Sequence, residues 1–104
     1  MAKQRHFENR VEAGATAFVT FAVLDFVPVF TVPETAQTMI DSLRLECGKS
    51  GTVLHAYVVM PEHVHAVFQL HEELHVTRFM SALKSNSARR LRQMLAPGME
   101  EKFS

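Results

Sequence analysis

Between Gly14 and Leu24 the chain runs through Phe, Val, Ala and Thr with hardly a charge, a pattern that predicts a first strand over Ala15 to Leu24. At period two, Phe18, Thr20 and Ala22 point one way and Val19, Phe21 and Val23 the other. Both faces are fairly apolar, so this strand is expected at the centre of its sheet. Asp25 to Pro28 reads as a turn or loop. From Pro33 the period changes to helical, with Ala36, Met39, Ile40, Leu43 and Cys47 on one face. Pro33 suits a first helical turn, Glu34 complements the helix dipole there, and Gly48 is expected to end the helix, leaving Lys49-Ser50-Gly51 as a loop. Cys47 on that stripe reads as a small buried hydrophobe. Two β-branched runs, Thr52 to Met60 and His63 to Leu70, flank Pro61-Glu62 and predict a hairpin. A two-residue loop would pair Met60 with His63 and Val58 with His65, placing Tyr57 on the face away from the histidines. A three-residue loop would bring Tyr57 to the histidine face instead, because a one-residue slip exchanges the faces. After a polar connection from His71 to Leu74, a second helix is predicted from about His75 to Leu95. Its inward stripe is Val76, Phe79, Met80, Leu83, Ser87, Leu91 and Met94, and Pro97-Gly98 stops it.

These elements make one domain over residues 14–96, with a poorly ordered polar arm at 1–13 and a short charged tail at 97–104. A length of 104 residues is near the lower end of comfortable stability for a single core. No apolar run approaches the roughly 20 residues of a membrane span, and the start leads into no signal-peptide core. The lone Cys47 forms no intramolecular disulfide and fits a reducing cytoplasm. Eleven basic residues balance eleven acidic ones, which argues against a uniformly basic nucleic-acid binder. The distribution is lopsided, however. From His75 to Met99 there are five basic residues (Arg78, Lys84, Arg89, Arg90 and Arg92) and no acidic one. Arg78, Arg89 and Arg92 share the outer face of the predicted helix and Lys84 flanks the stripe. Arg90 falls close to the stripe, where it either snorkels or points into a site. Such a face is either a solvated surface or a phosphate-binding one, and the neutrality of the chain as a whole favours the second.

The chemistry-bearing stretch is Ala56-Tyr57-Val58-Val59-Met60-Pro61-Glu62-His63-Val64-His65. His63 and His65 fall on one face of the second hairpin strand, so two imidazoles stand side by side and could supply half of a divalent-metal site. A His-x-His in a strand is more often a half-exposed polar face than a metal site. Glu62, His71 and His75 are the residues that could bring a third ligand near. Tyr57, the only tyrosine, is read as a packing residue.

The run from His55 to His65 closely resembles the signature hairpin of the single-tyrosine HUH transposases, most like the REP-associated and insertion-sequence-200-like branch. That branch typically reads "AYVVMPNHVH", and here Glu62 replaces the Asn, adding a negative charge near a site that would approach phosphate. Ala17 to Phe21 is similar to the family's first strand, Val29-Phe30 to the "PLF" that follows it, and Leu83 to Arg90 to its basic second helix. The resemblance spans about residues 14 to 95. It implies action on single-stranded or hairpin DNA, with His63, His65 and a third polar side chain holding Mg²⁺ or Mn²⁺ to polarise the scissile phosphate. A tyrosine hydroxyl would attack to give a 5′-phosphotyrosine linkage and a free 3′-OH. It also implies that Lys84, Arg89, Arg90 and Arg92 hold the DNA backbone.

In the family the tyrosine and the third ligand sit on a later helix, after a further strand. Nothing after Arg92 offers a tyrosine, and Phe103 cannot be a nucleophile. Two histidines alone would hold Mg²⁺ poorly, because it prefers oxygen ligands. The expectation is therefore a C-terminally truncated transposase domain with no catalytic residue of its own, inactive by itself. Two other readings stay open: a non-catalytic DNA-binding relic or regulatory module, and a metal-binding protein unrelated to DNA. The expected fold is α+β, a ferredoxin-like antiparallel sheet in the order β-α-β-β-α with both helices on one face. Lacking the final strand, such a sheet leaves an edge exposed, which favours a homodimer. No membrane and no small-molecule cofactor are expected.

Overall fold

The computed structural model describes residues 15–25, 27–71 and 74–95. The proposed arm at 1–13 and tail at 97–104 lie outside the described residues. The elements are β1 (Thr16–Phe21), a 3-10 turn (Val29–Thr31), α1 (Pro33–Ser50), β2 (Val53–Val59), β3 (Val64–Gln69) and α2 (Val76–Met94). This is the α+β order read from the sequence. The three strands form one antiparallel sheet in the order β1-β3-β2, so β1 and β2 run parallel on either side of β3. A strand, a crossover helix and a return strand with one strand inserted between them is the split βαβ unit of ferredoxin-like folds.

One face of this sheet is closed. Ala17, Val19 and Phe21 of β1 and Val64, Ala66 and Phe68 of β3 share a single core with Met39, Leu43 and Cys47 of α1 and Val76, Phe79, Leu83 and Leu91 of α2. Phe68 and Phe79 meet edge to face, ring centroids 4.9 Å apart, which ties β3 to α2. The alternate residues, Thr16, Phe18 and Thr20 on β1 and His65, Val67 and Gln69 on β3, lie on the opposite face, which no described element covers.

Four sequence expectations are corrected. β1 is an edge strand and β3 the central one; the apolar outer residue that suggested a central β1 is Phe18, which stands 68% exposed. β1 also stops at Phe21 rather than Leu24. α1 runs through Gly48 to Ser50 and is capped by Gly51, whose φ of 72° is the left-handed conformation in which its N–H reaches Cys47 O. On α2, Met94 is exposed, whereas Ala88 is buried.

The short turn after β1 fixes the hairpin. The Phe30 N–H donates to Pro61 O at 2.9 Å, and Thr35 Oγ1 at the start of α1 donates to Val29 O. The tip of the β2–β3 hairpin is therefore tied to the head of α1. That contact holds the segment bearing His63 against the body of the domain.

Candidate metal centre on the open sheet face

The β2–β3 pairing matches Val58 with His65, Tyr57 with Ala66 and Val59 with Val64, and the Met60 N–H donates to His63 O at 2.8 Å. The hairpin thus has the two-residue tip Pro61-Glu62. His55 sits in a bulge between Leu54 and Ala56, where the register shifts. Pairing of Tyr57 with Ala66 puts its side chain on the covered face, half-buried against the core. The sheet itself lies between Tyr57 and the histidines.

His63 and His65 converge. Their Nε2 atoms are 3.1 Å apart and the rings stand edge to face with centroids 4.8 Å apart. Two nitrogens at right angles on a cation, each about 2.1 Å from it, would be about 3.0 Å apart. At 3.1 Å the two rings are hydrogen-bonded to each other, one Nε2 donating and the other accepting, and the spacing is close to that of two adjacent ligand positions on one divalent ion. On its other side, His65 Nδ1 lies 2.9 Å from Thr20 Oγ1, a cross-strand contact set by the pairing of Thr20 with His65. Thr20 is a site neighbour that the histidine motif did not reveal; it comes from β1, and only the strand register aligns it. Beside His65 the open face carries a shallow apolar depression of about 210 Å³ lined by Phe18, Ala56, Val58 and Val67, with Tyr57 and Ala66 also contributing to its wall.

The residues considered as third ligands do not join the pair. Glu62 is exposed at the hairpin tip, and His71 lies beyond the opposite end of β3, near Gly51. His75 precedes α2. Among the described residues no group of three His, Cys, Asp or Glu side chains could hold a metal ion.

The cations of α2 divide into two kinds. Lys84, Arg89 and Arg92 are exposed, with Arg89 Nη1 donating to Asn86 Oδ1 at 2.9 Å. Arg90 instead turns inward, and its Nη2 meets Glu46 Oε2 of α1 at 2.8 Å. Asn86 Nδ2 donates to the same oxygen at 3.1 Å, and Lys49 Nζ approaches it at 3.2 Å. Burial would push the Glu46 carboxyl up, but the bonds from Arg90, Asn86 and Lys49, with the Lys49 charge, outweigh it and hold its pKa below the ordinary value. Glu46 is a buried carboxylate that the apolar stripe of α1 did not include; its heptad spacing from Met39 is the signal that marks it as inward-facing. Burial, with the Glu46 charge second, raises the neighbouring Cys47 thiol to about 11, so it stays protonated at neutral pH. α2 packs on the side of the sheet away from the histidines. The basic helix and the His63–His65 pair therefore occupy opposite sides of the domain.

No described helix is long and apolar enough to cross a membrane. Against known proteins, the family model described as "Transposase IS200 like" matches residues 27–103. A solved chain from Deinococcus radiodurans R1, described as a candidate transposase, is 30% identical with a TM-score of 0.67. The match covers 88% of the present chain and 66% of that one. No curated protein matches.

Proposed function

The chain belongs to the IS200-like transposase family, and from that membership we propose that it binds single-stranded or hairpin DNA and presents a metal-assisted phosphodiester site on its open sheet face. The observation that carries this reading is the close approach of His63 and His65, Nε2 to Nε2 3.1 Å, on a face that nothing described covers. A bound Mg²⁺ or Mn²⁺ would supply Lewis-acid polarisation of a scissile phosphate. His63 and His65 would hold it. They are anchored by the sheet ladder and by the Phe30–Pro61 bond, so little ordering would remain at the moment of binding. The apolar depression beside His65, with Phe18 at its wall, offers a surface on which an unstacked base could lie.

Tyr57 takes no part as nucleophile in this reading, since it lies through the sheet from the histidines. The attacking hydroxyl of a phosphotyrosine mechanism would come from a residue outside this site. A homodimer of this chain would bring only a second Tyr57 and does not supply it, although β1 and β2 both offer sheet edges through which two copies could pair. Light scattering at high concentration tests this, and a clean monomer would count against it.

A second reading has its own observation. Lys84, Arg89 and Arg92 are exposed on the side opposite the histidines, so the chain could bind DNA through the helix alone, as a non-catalytic module. The two readings are separated by titrating a fluorescent single-stranded DNA hairpin, with and without Mn²⁺, into wild type and His63→Ala/His65→Ala. Salt-dependent binding that tightens with Mn²⁺ only in wild type is expected. Equal, metal-independent binding in both proteins would leave the basic helix as the whole function, and no binding would sink both.

A further inference from the structure

His65 has two ring nitrogens, and only one of them faces His63. The other, Nδ1, is 2.9 Å from Thr20 Oγ1 on the neighbouring strand. We propose that Thr20 is the positioning residue of this site: its hydroxyl oxygen accepts the His65 Nδ1–H, which keeps the lone pair on Nε2 and aims it at the point His63 also reaches. The proposal rests on the metal-centre reading for its use, and on the Thr20–His65 contact alone for its mechanism.

The physical case has three parts. A neutral imidazole carries one proton, and a nitrogen that binds a cation must be the one without it; the partner of the other nitrogen decides which that is. The second torsion of a histidine is broad and soft, so an unpartnered ring could present either nitrogen or turn away. His65 Nε2 already meets His63 Nε2 at 3.1 Å, and Thr20 removes the freedom that contact leaves: with Nδ1–H given to Thr20, His65 Nε2 accepts from His63 Nε2–H in the metal-free protein. The β-branched Thr20 side chain has a restricted first torsion, and the β1–β3 ladder holds its backbone directly opposite His65. Carbonyls and carboxylates are the usual partners of a metal-binding histidine, and a hydroxyl in that place is a milder acceptor with the same geometric effect.

A plain alternative is that Thr20–His65 is one more cross-strand polar pair that merely steadies the sheet. The same face provides the control. Thr16 Oγ1 donates to Gln69 Oε1 at 2.7 Å across the same two strands, at the end remote from the histidines. If only sheet stability matters, losing either hydroxyl should do the same thing.

The test compares wild type with Thr20→Val, Thr20→Ser and Thr16→Val in two readouts. Long-range ¹⁵N spectra of the histidine rings in metal-free protein report the tautomer, and calorimetric titration with MnCl₂ reports affinity. The expected result is a proton on Nδ1 of His65 in wild type, Thr20→Ser and Thr16→Val, and its loss from Nδ1 in Thr20→Val. Mn²⁺ affinity should fall about 10- to 100-fold in Thr20→Val only. An unchanged tautomer in Thr20→Val, or equal losses of affinity in Thr20→Val and Thr16→Val, would overturn the proposal. Absence of Mn²⁺ binding by wild type would overturn the metal-centre reading instead, while the tautomer spectra still decide whether Thr20 sets the ring.

Discussion

The two faces of the sheet are built from the same strands and have opposite characters. On the covered face Phe68 is fully buried against Phe79, and a buried carboxylate of the neighbouring helix interface, Glu46, receives Arg90, Asn86 and Lys49. On the open face Phe18 stands 68% exposed, and the polar contact runs from Thr20 through His65 to His63, whose Nε2 meets that of His65 at 3.1 Å. Buried charge here serves to hold two helices together. Accessible imidazoles are instead oriented by their neighbours while keeping room for a ligand, which separates a stabilising cluster from a candidate site.

The comparison is broken or sharpened first by paired aromatic truncations. Phe68→Ala should cost about 4 kcal/mol of stability in denaturant unfolding, because it leaves a cavity in the closed core. Phe18→Ala should change it by about 0.5 kcal/mol or less. A large loss from Phe18→Ala would mean that the open face is packed against something.

Next in size is the helix interface. Glu46→Ala strands the largely buried Arg90 guanidinium and is expected to cost about 3 kcal/mol, while Lys49→Ala, at an exposed ammonium, should cost well under 1 kcal/mol. The sign of the pH effect follows from the lowered Glu46 pKa. Its contribution is complete above the ordinary value of 4.5 and is lost as pH falls through the lower folded value. Stability curves of wild type and Glu46→Gln should therefore converge at acid pH. Parallel curves down through that range would refute a depressed carboxyl.

His63→Ala/His65→Ala should leave the unfolding midpoint nearly unchanged and abolish Mn²⁺ binding seen by calorimetry. A midpoint drop comparable to that of Glu46→Ala would recast the pair as structural. The smallest effect is expected on the basic helix, where Arg89→Ala/Arg92→Ala should lower the salt slope of DNA binding by about 2 if each cation meets one phosphate. An unchanged slope would take these cations out of the DNA contact.

Much of the fold is legible in the chain because it is local. The hairpin register follows from Pro61-Glu62 as a two-residue tip, and with it the separation of Tyr57 from the histidines. The α+β order and the inward stripes of both helices follow from period alone, apart from Met94 at the end of α2. The misplacement of β1 has a clear cause: alternation reports that both sides of a strand are apolar, not that both are covered. Gly48 reads as a helix stop because composition marks a glycine but not the positive φ, which is adopted three residues later at Gly51.

The sequence by itself determined which elements form, that His63 and His65 share a face, and which family the hairpin resembles. These depend on spacing within a few residues. Tertiary structure alone decided that Thr20 reaches His65 from a strand 45 residues away in sequence, that Arg90 is committed to Glu46, and that the basic helix and the histidines lie on opposite sides. Each depends on strand order or helix packing. Those are properties of how the elements bury one common face, and no single stretch of the chain encodes them.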